Sequence, residues 1–285
     1  MTALSIILPC FNEAASLKTL LPLLKQHYAE AEIVLVDDGS TDDSADIAQQ
    51  MDIIVVKHPY RMGNGASIKS GARAATGKTL VFMDADGQHH PQDIALLLKE
   101  LDKGYDMVVG ARSRVSQASI GRWWANSFYN QIASWMTGHK IQDLTSGFRA
   151  VNAEKFKEFL YLLPNSFSYP TTVTMAFFRT GYSVSYIPIV AAKRIGKSHI
   201  NPLKDGTRFL LIILKIGTLY SPLKLFFPLS FSFFSLGLGY YLYTYFTSGR
   251  FTNMGMLLLI SALLIFLIGL VSEQITQLLF SRKER

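Results

Sequence analysis

Leu80-Val81-Phe82-Met83-Asp84-Ala85-Asp86-Gly87-Gln88 is the stretch on which the reading of this chain turns. Four apolar residues in a row read as a short strand buried on both faces, the kind found inside a parallel sheet. Two carboxylates one residue apart then stand at its carboxyl end, where an open α/β sheet places its ligands. So spaced, Asp84 and Asp86 can converge on a hard divalent cation, which prefers oxygen ligands and gathers phosphate oxygens in turn. The alternative is that they end the strand and cap a helix begun at Pro91.

Towards the N-terminus the same unit recurs. Leu4–Leu8 reads as a first strand ended by Pro9, and Asn12 as the cap of a helix over about 14–28, with Leu17, Leu20, Leu21 and Leu24 at helical spacing. Ile33–Val36 is a second buried strand running into Asp37-Asp38-Gly39-Ser40-Thr41-Asp42. A helix over 43–51, a strand over 53–56 and the loop Arg61-Met62-Gly63-Asn64-Gly65, which opens a helix through Ala75, complete this half. After Gln88 come a helix over 91–103 and a strand over 107–109. Strands alternating with helices in units of this length predict a mostly parallel sheet with right-handed crossovers. If the strands are parallel, Pro9-Cys10-Phe11-Asn12-Glu13, the Asp37–Asp42 loop and the Asp84–Gln88 loop share one sheet edge, a nucleotide-type crevice. No GxxxxGK[ST], and no GxGxxG after a strand, is present, which disfavours P-loop and dinucleotide folds.

Beyond residue 110 the pattern changes. Residues 119–137 read as an aromatic-rich helix (Trp123, Trp124, Phe128, Tyr129, Trp135) that suits core or membrane equally. Asp143-Leu144-Thr145-Ser146-Gly147-Phe148-Arg149 is a polar loop entering a strand. A helix over 171–180, a strand over 183–187 and a basic loop from Lys193 to Asp205 follow. Phe209–Leu219, broken by Lys215, is either an interfacial helix or a core helix and is too short to span a bilayer. Leu225–Ser248 and Phe251–Ser272 carry no charge except Arg250 in the turn between them. Each exceeds the roughly 20 residues needed to cross the hydrocarbon core, and Tyr240, Tyr241, Tyr243 and Tyr245 suit an interface.

Charge is local. Residues 1–192 hold 17 basic and 18 acidic side chains, whereas 193–224 hold seven basic ones against Asp205. A cationic band ahead of an apolar tail fits anionic headgroups or a phosphorylated substrate at a membrane surface, and nucleic acid is not needed to explain it. Basic residues before the first span and after the second predict that both ends lie in the cytosol. A single cysteine, Cys10, excludes an intrachain disulfide.

The ordered set is Asn12-Glu13, Val36-Asp37-Asp38-Gly39-Ser40, Asp84-Ala85-Asp86-Gly87-Gln88-His89, Gly110-Ala111-Arg112, Asp143 to Phe148, and Arg194-Ile195-Gly196-Lys197-Ser198. It resembles the family 2 glycosyltransferases of the A-type fold, and among them the polyprenyl-phosphate glycosyltransferases typified by dolichol-phosphate mannose synthase. The resemblance covers about residues 3–200, and the hairpin is similar to that of membrane-anchored members. It implies a cytosolic catalytic domain over 1–205, an amphipathic interfacial helix over 206–221 and a two-span transmembrane hairpin over 222–285. It also implies that Pro9, Phe11, Glu13 and Asp38 hold the nucleobase and ribose of a GDP- or UDP-linked sugar. Asp84, Asp86 and Gln88 would surround Mg²⁺ or Mn²⁺ on the diphosphate, and Arg194 and Lys197 would close over it. Arg112, Arg122 and Asn126 would grip the acceptor phosphate; His199 stands where the family commonly has lysine.

The chemistry fits those parts. A sugar hydroxyl needs a carboxylate base to attack, but a lipid monophosphate, with a second pKa near 6, does not. It needs cations to place it, and arginine's planar fork suits phosphate. The expected reaction is inverting transfer of the sugar to a polyprenyl phosphate, with Asp143 orienting Arg112 or the donor sugar and Asp86 essential. A processive polysaccharide synthase is the first rival. Its Gln-x-x-Arg-Trp motif normally follows the base, whereas Arg122-Trp123 precedes Asp143 here, with Ser119 in the glutamine's place. The second rival is a non-catalytic nucleotide-sugar-binding membrane protein. An aromatic hairpin is also suited to pairing with its own copies as a homo-oligomer.

Overall fold

The structure, a computed structural model, describes residues 3–112, 120–165, 168–190, 217–218 and 221–281; the side chains of 120–126 and 279–281 are outside that description. Two compact units divide the chain, 1–199 and 200–285.

The first unit is built on a seven-stranded sheet of order β3-β2-β1-β4-β6-β5-β7. Its strands are β1 (Leu4–Cys10), β2 (Glu32–Asp37), β3 (Ile54–Lys57), β4 (Thr79–Phe82), β5 (Met107–Arg112), β6 (Arg149–Asn152) and β7 (Val184–Ile189). The helices are α1 (Ala14–His27), α2 (Ser44–Gln50), α3 (Asn64–Ala74), α4 (Asp93–Leu101), α5 (Ile120–Thr137), α6 (Ala153–Lys157) and α7 (Tyr169–Arg179). The sheet is mostly parallel, as expected. β1 lies between β2 and β4, and alternate residues of these strands are buried on opposite faces. Ile6, Leu8, Leu35, Val81 and Met83 join Leu17, Leu21 and Leu24 of α1 and Ile94 and Leu97 of α4 in one core. On the other face, Phe82 meets Phe156 at 4.6 Å between ring centroids. There α3 lies so close that a Cβ on Gly71 would stand 2.4 Å from Ile7 Cγ2.

The strand expected after the Asp143–Phe148 loop is β6, but simple alternation does not foresee its place or direction. It enters between β4 and β5 and runs antiparallel to both, with Arg149 opposite Phe82 on one side and Val109 on the other. A reversed strand starts where its neighbours end. The loop ahead of β6 is therefore delivered to the carboxyl edge, beside Asp84 and Arg112. Other local expectations shift for physical reasons. Asn12 does not cap α1: it adopts φ 57°, and its side-chain oxygen accepts from Thr41 N–H at 2.8 Å. The orphan N–H groups at the start of α1 are instead met from the β2–α2 loop, with Ala14 N donating to Asp42 and Glu13 N to Ser44, both at 3.0 Å. α4 begins at Asp93, two residues after Pro91. Short α6 is capped by Asn152, which accepts from Lys155 N–H at 3.1 Å.

In the second unit, α8 (Pro222–Ser248) and α9 (Asn253–Ser281) form an antiparallel hairpin whose turn starts at Gly249 in the left-handed region, φ 62°. Both helices are long and apolar enough to cross a membrane. Most of their large apolar side chains are exposed, including Phe231, Leu236, Phe246, Leu257, Leu264 and Val271. Close packing replaces a hydrophobic drive between the helices. A Cβ on Gly237 would meet Leu258 at 3.0 Å, and one on Gly269 would meet Phe226 at 2.7 Å. Ser230 Oγ donates to the Ala262 carbonyl at 2.7 Å. α9 continues past Ser272, where the uncharged run stops, and Glu273 there accepts from Leu223 N–H in the first turn of α8 at 3.3 Å, meeting one of that helix's orphan donors. The expected interfacial helix over 206–221 falls largely outside the described residues.

Candidate active site

All the sequence-predicted loops that are described reach one edge of the sheet. β1 runs past Pro9, which pairs with Val36, and closes at Cys10; Asp37 closes β2, Asp84 and Asp86 follow β4, Arg112 ends β5, and the 143–148 loop precedes β6.

On the β1–β2 side, Asn12 N–H donates to Ser40 Oγ at 3.0 Å, tying the first two loops together. Phe11 is half-buried, and the Arg61 guanidinium lies 4.2 Å from its ring centroid. Glu13 is also half-buried, with Ser16 Oγ at 3.4 Å from its carboxylate. Asp38 is buried at 4 % exposure. Its Oδ1 accepts from Met62 N–H and contacts His58 Nδ1, both at 2.8 Å, and its Oδ2 accepts from Gly63 N–H at 2.8 Å. The other ring nitrogen of His58 meets Ser70 Oγ at 2.9 Å. Asp38 thus anchors the Arg61–Gly65 loop against β2. Gly39 permits this closure: at φ +76° a Cβ would stand 2.9 Å from the Tyr60 carbonyl carbon.

Asp84 is half-buried among three neighbours. Asn64 Nδ2 is 3.4 Å from its Oδ1, a Cβ on Gly147 would lie 3.4 Å from its Oδ2, and its charge acts on Arg112. Asp86 Oδ1 accepts from Gln88 N–H at 3.1 Å. His89 is buried and stacked on Phe148, with centroids 4.7 Å apart. Burial pushes its pKa down to about 4 against the pull of Asp86, so the ring is neutral at pH 7. No group of three or more His, Cys, Asp or Glu side chains that could hold a metal occurs among the described residues. Two carboxylates with a neighbouring amide side chain fit Mg²⁺ or Mn²⁺ in particular, since such ions are held by one or two carboxylates and fill their shells with water and substrate phosphate.

Arg112 and Asp143 form the strongest pair at this edge. Nε donates to Oδ2 at 2.8 Å, Nη2 to Oδ1 at 3.1 Å and the backbone N–H to Oδ2 at 3.3 Å. Thr145 Oγ1 accepts from Nη2 at 2.6 Å and donates to Asp143 Oδ1 at 3.1 Å. Burial by itself would raise the Asp143 pKa, but the hydrogen bonds and charge of Arg112 outweigh it and hold the carboxyl below its usual range. Asp143 is therefore an ionised clamp on the guanidinium. Arg122 and Asn126 lie on α5, but their side chains are outside the described residues, as are Arg194, Lys197 and His199 altogether.

Sequence reasoning missed His58, and it read Arg61 and Asn64 only as parts of a loop opening a helix, without placing them at this edge. A histidine following a strand and an asparagine between glycines carry little signal of their own; partners distant in sequence give them their places. Thr145 lies in the Asp143–Phe148 loop, and only its hydrogen bonds to Arg112 and Asp143 distinguish it.

Residues 5–160 match Glycosyl transferase family 2, and residues 221–278 match the GtrB C-terminal hairpin. The undecaprenyl-phosphate mannosyltransferase of Micrococcus luteus is 30% identical over 68% of this chain and 86% of its own length. The undecaprenyl-phosphate 4-deoxy-4-formamido-L-arabinose transferase of Photorhabdus laumondii is 32% identical over 59% of this chain, but the match spans only 57% of that enzyme. Among solved structures, glucosyl-3-phosphoglycerate synthase from Mycobacterium tuberculosis, in complex with Mn²⁺, UDP-glucose and phosphoglyceric acid, superposes with a TM-score of 0.62 at 20% identity, covering 75% of this chain and 79% of that one. At that identity the likeness establishes the fold.

Proposed function

The chain belongs to glycosyltransferase family 2, and on that premise we propose that it moves a sugar from a nucleoside-diphosphate sugar onto a membrane polyprenyl phosphate, inverting the anomeric carbon. The observation that carries this reading is the Arg112–Asp143 clamp. It offers a fixed guanidinium beside Asp84 and a carboxylate held ionised by that guanidinium, which suits an acceptor that arrives already anionic. Two relatives are named for undecaprenyl-phosphate transfer, which supports the acceptor class.

On this reading Pro9, Phe11 and Glu13 line the nucleotide site, with Asp38 and Arg61 shaping its wall. Asp84, Asp86 and Gln88 hold Mg²⁺ or Mn²⁺. When bound, such a cation takes up charge on the departing diphosphate as a Lewis acid. Arg112 aligns an acceptor phosphate oxygen with the anomeric carbon, joined by Arg122 and Asn126 from α5. The new carbon–oxygen bond forms as the bond to the diphosphate oxygen breaks, and the electron pair leaves with the nucleoside diphosphate. Asp143 keeps the Arg112 fork in place and takes no proton. Arg194 and Lys197 add positive charge over the diphosphate. We assign 1–205 to catalysis, 206–221 to the membrane interface and 222–285 to the anchor, with both termini cytosolic.

Membranes carrying the protein, incubated with labelled UDP- and GDP-sugars and undecaprenyl phosphate, test the assignment. A labelled lipid that mild acid releases is the expected product. Labelled polymer would place the chain with the processive synthases, and binding without turnover would make it a sensor.

A further inference from the structure

Arg149 is entirely buried, at 0% exposure, and has no salt bridge among the described residues. Its guanidinium is held by neutral acceptors instead, with the Met107 sulfur 3.6 Å from Nη1. Nη2 donates to the Ser146 carbonyl, and Nη1 to the Pro170 carbonyl at 3.3 Å and Thr174 Oγ1 at 3.2 Å; Nε has no partner. A buried charge without a counter-ion is costly, and apolar replacements of buried ionic groups are often neutral or stabilising. A core needing only volume here would be served better by methionine or leucine.

What the guanidinium holds lies towards the reactive edge. Ser146 and Gly147 sit between the Arg112 partners Asp143 and Thr145 on one side and β6 on the other. The Arg149 guanidinium is 5.8 Å from the Tyr169 ring, and Tyr169 Oη donates to the Gly147 carbonyl at 3.3 Å. Gly147 in turn abuts Asp84: an added Cβ would lie 3.3 Å from Tyr169 Oη and 3.4 Å from Asp84 Oδ2. Ser146 Oγ fastens the same loop to the Gly110 carbonyl at 2.7 Å, two residues before Arg112.

We propose that Arg149 is a positioning residue for sugar transfer. Through Ser146, and with Tyr169 through Gly147, it sets the 143–148 loop from behind and so fixes both the Asp143–Arg112 clamp and the Asp84 carboxylate. This rests on the assignment of Asp84 and Asp86 as holders of the cation.

Arg149→Met and Arg149→Lys in the full-length chain test it by three readouts: thermal midpoint, Mn²⁺ affinity by electron paramagnetic resonance of the free ion in the presence of UDP or GDP, and turnover. Arg149→Met should keep its midpoint within a few degrees of the parent while Mn²⁺ affinity weakens at least fivefold and kcat falls at least tenfold. Arg149→Lys, which keeps charge but not the fork, should fall between. Unchanged Mn²⁺ affinity with kcat within twofold of the parent overturns the proposal. If Arg149→Met does not fold, Tyr169→Phe decides, since it removes only the hydroxyl on Gly147: a twofold or greater loss of Mn²⁺ affinity supports the proposal and no change overturns it. A parent chain that takes up no Mn²⁺ refutes the cation assignment instead, and kcat of the Arg149 and Tyr169 variants then decides whether Arg149 positions the clamp.

Discussion

Asp143→Asn separates a clamp from a base. The native carboxylate receives Nε, Nη2 and the backbone N–H of Arg112, and N–H and Oγ1 of Thr145. Asparagine keeps one oxygen for Nη2 and Thr145 but turns an NH₂ group towards the other two Arg112 donors. Charge-assisted hydrogen bonds contribute roughly 1.5–3 kcal/mol each, and breaking a fully buried ion pair costs about 3–5 kcal/mol. The Arg112 side chain is 31% exposed and can recover water, whereas that of Asp143 is 5% exposed. The cost is therefore discounted to about 2 kcal/mol. For a domain of this size that lowers the thermal midpoint by roughly 4–8 °C. Because Arg112 holds the Asp143 pKa down, the pair's contribution is present above the unfolded carboxyl value near 4 and is lost as pH falls through the lower folded value. The variant should accordingly show a shallower acid-unfolding curve. A loosened guanidinium should cost about 10–100-fold in kcat/KM, or roughly 1.4–2.8 kcal/mol, mostly as a higher KM for the lipid phosphate. The assay is steady-state transfer to undecaprenyl phosphate in detergent between pH 5 and 8, beside scanning fluorimetry. Asp143 is ionised across that window, so the pH profile should keep its shape. A loss of 10⁴-fold or more together with disappearance of the acid limb would refute the clamp and make Asp143 a general base.

Asp86→Ala should abolish turnover, and chelating divalent ions should do the same to the parent; near-normal rates without added metal would contradict the assignment. Gly110→Ala places a methyl 2.7 Å from Phe148 Cδ1 and 3.0 Å from Ile189 Cδ1, in a spot where Phe148 is fully buried and stacked on His89. Such overpacking costs roughly 1–3 kcal/mol, read as a lower thermal midpoint, and an unchanged midpoint would show that the loop yields. Burial raises the Cys10 thiol to about 11, so at pH 7.5 it is protonated and reacts with maleimide only on unfolding; prompt labelling of the native protein would contradict this.

The sequence by itself determined the elements and most of the edge they share. Apolar runs such as Ile33–Val36 and Leu80–Met83, each halted by aspartates, announce buried parallel strands and the end at which chemistry collects, because a strand with two covered faces must be apolar until it reaches solvent. The hairpin was equally plain, since two dozen uncharged residues leave little else to form. Tertiary structure alone decided the rest. Nothing local tells β6 to run backwards between β4 and β5, yet that reversal delivers Asp143 to Arg112 across 31 residues of chain. His58, which carries no signal in the sequence, acquires its place from Asp38, 20 residues away. Arg149 reads as the polar start of a strand, and the fold buries it whole. Periodicity records which face of an element is covered, but a hydrogen bond between distant segments leaves no periodic trace, so the partners of a polar side chain become visible only when the chain has closed around them.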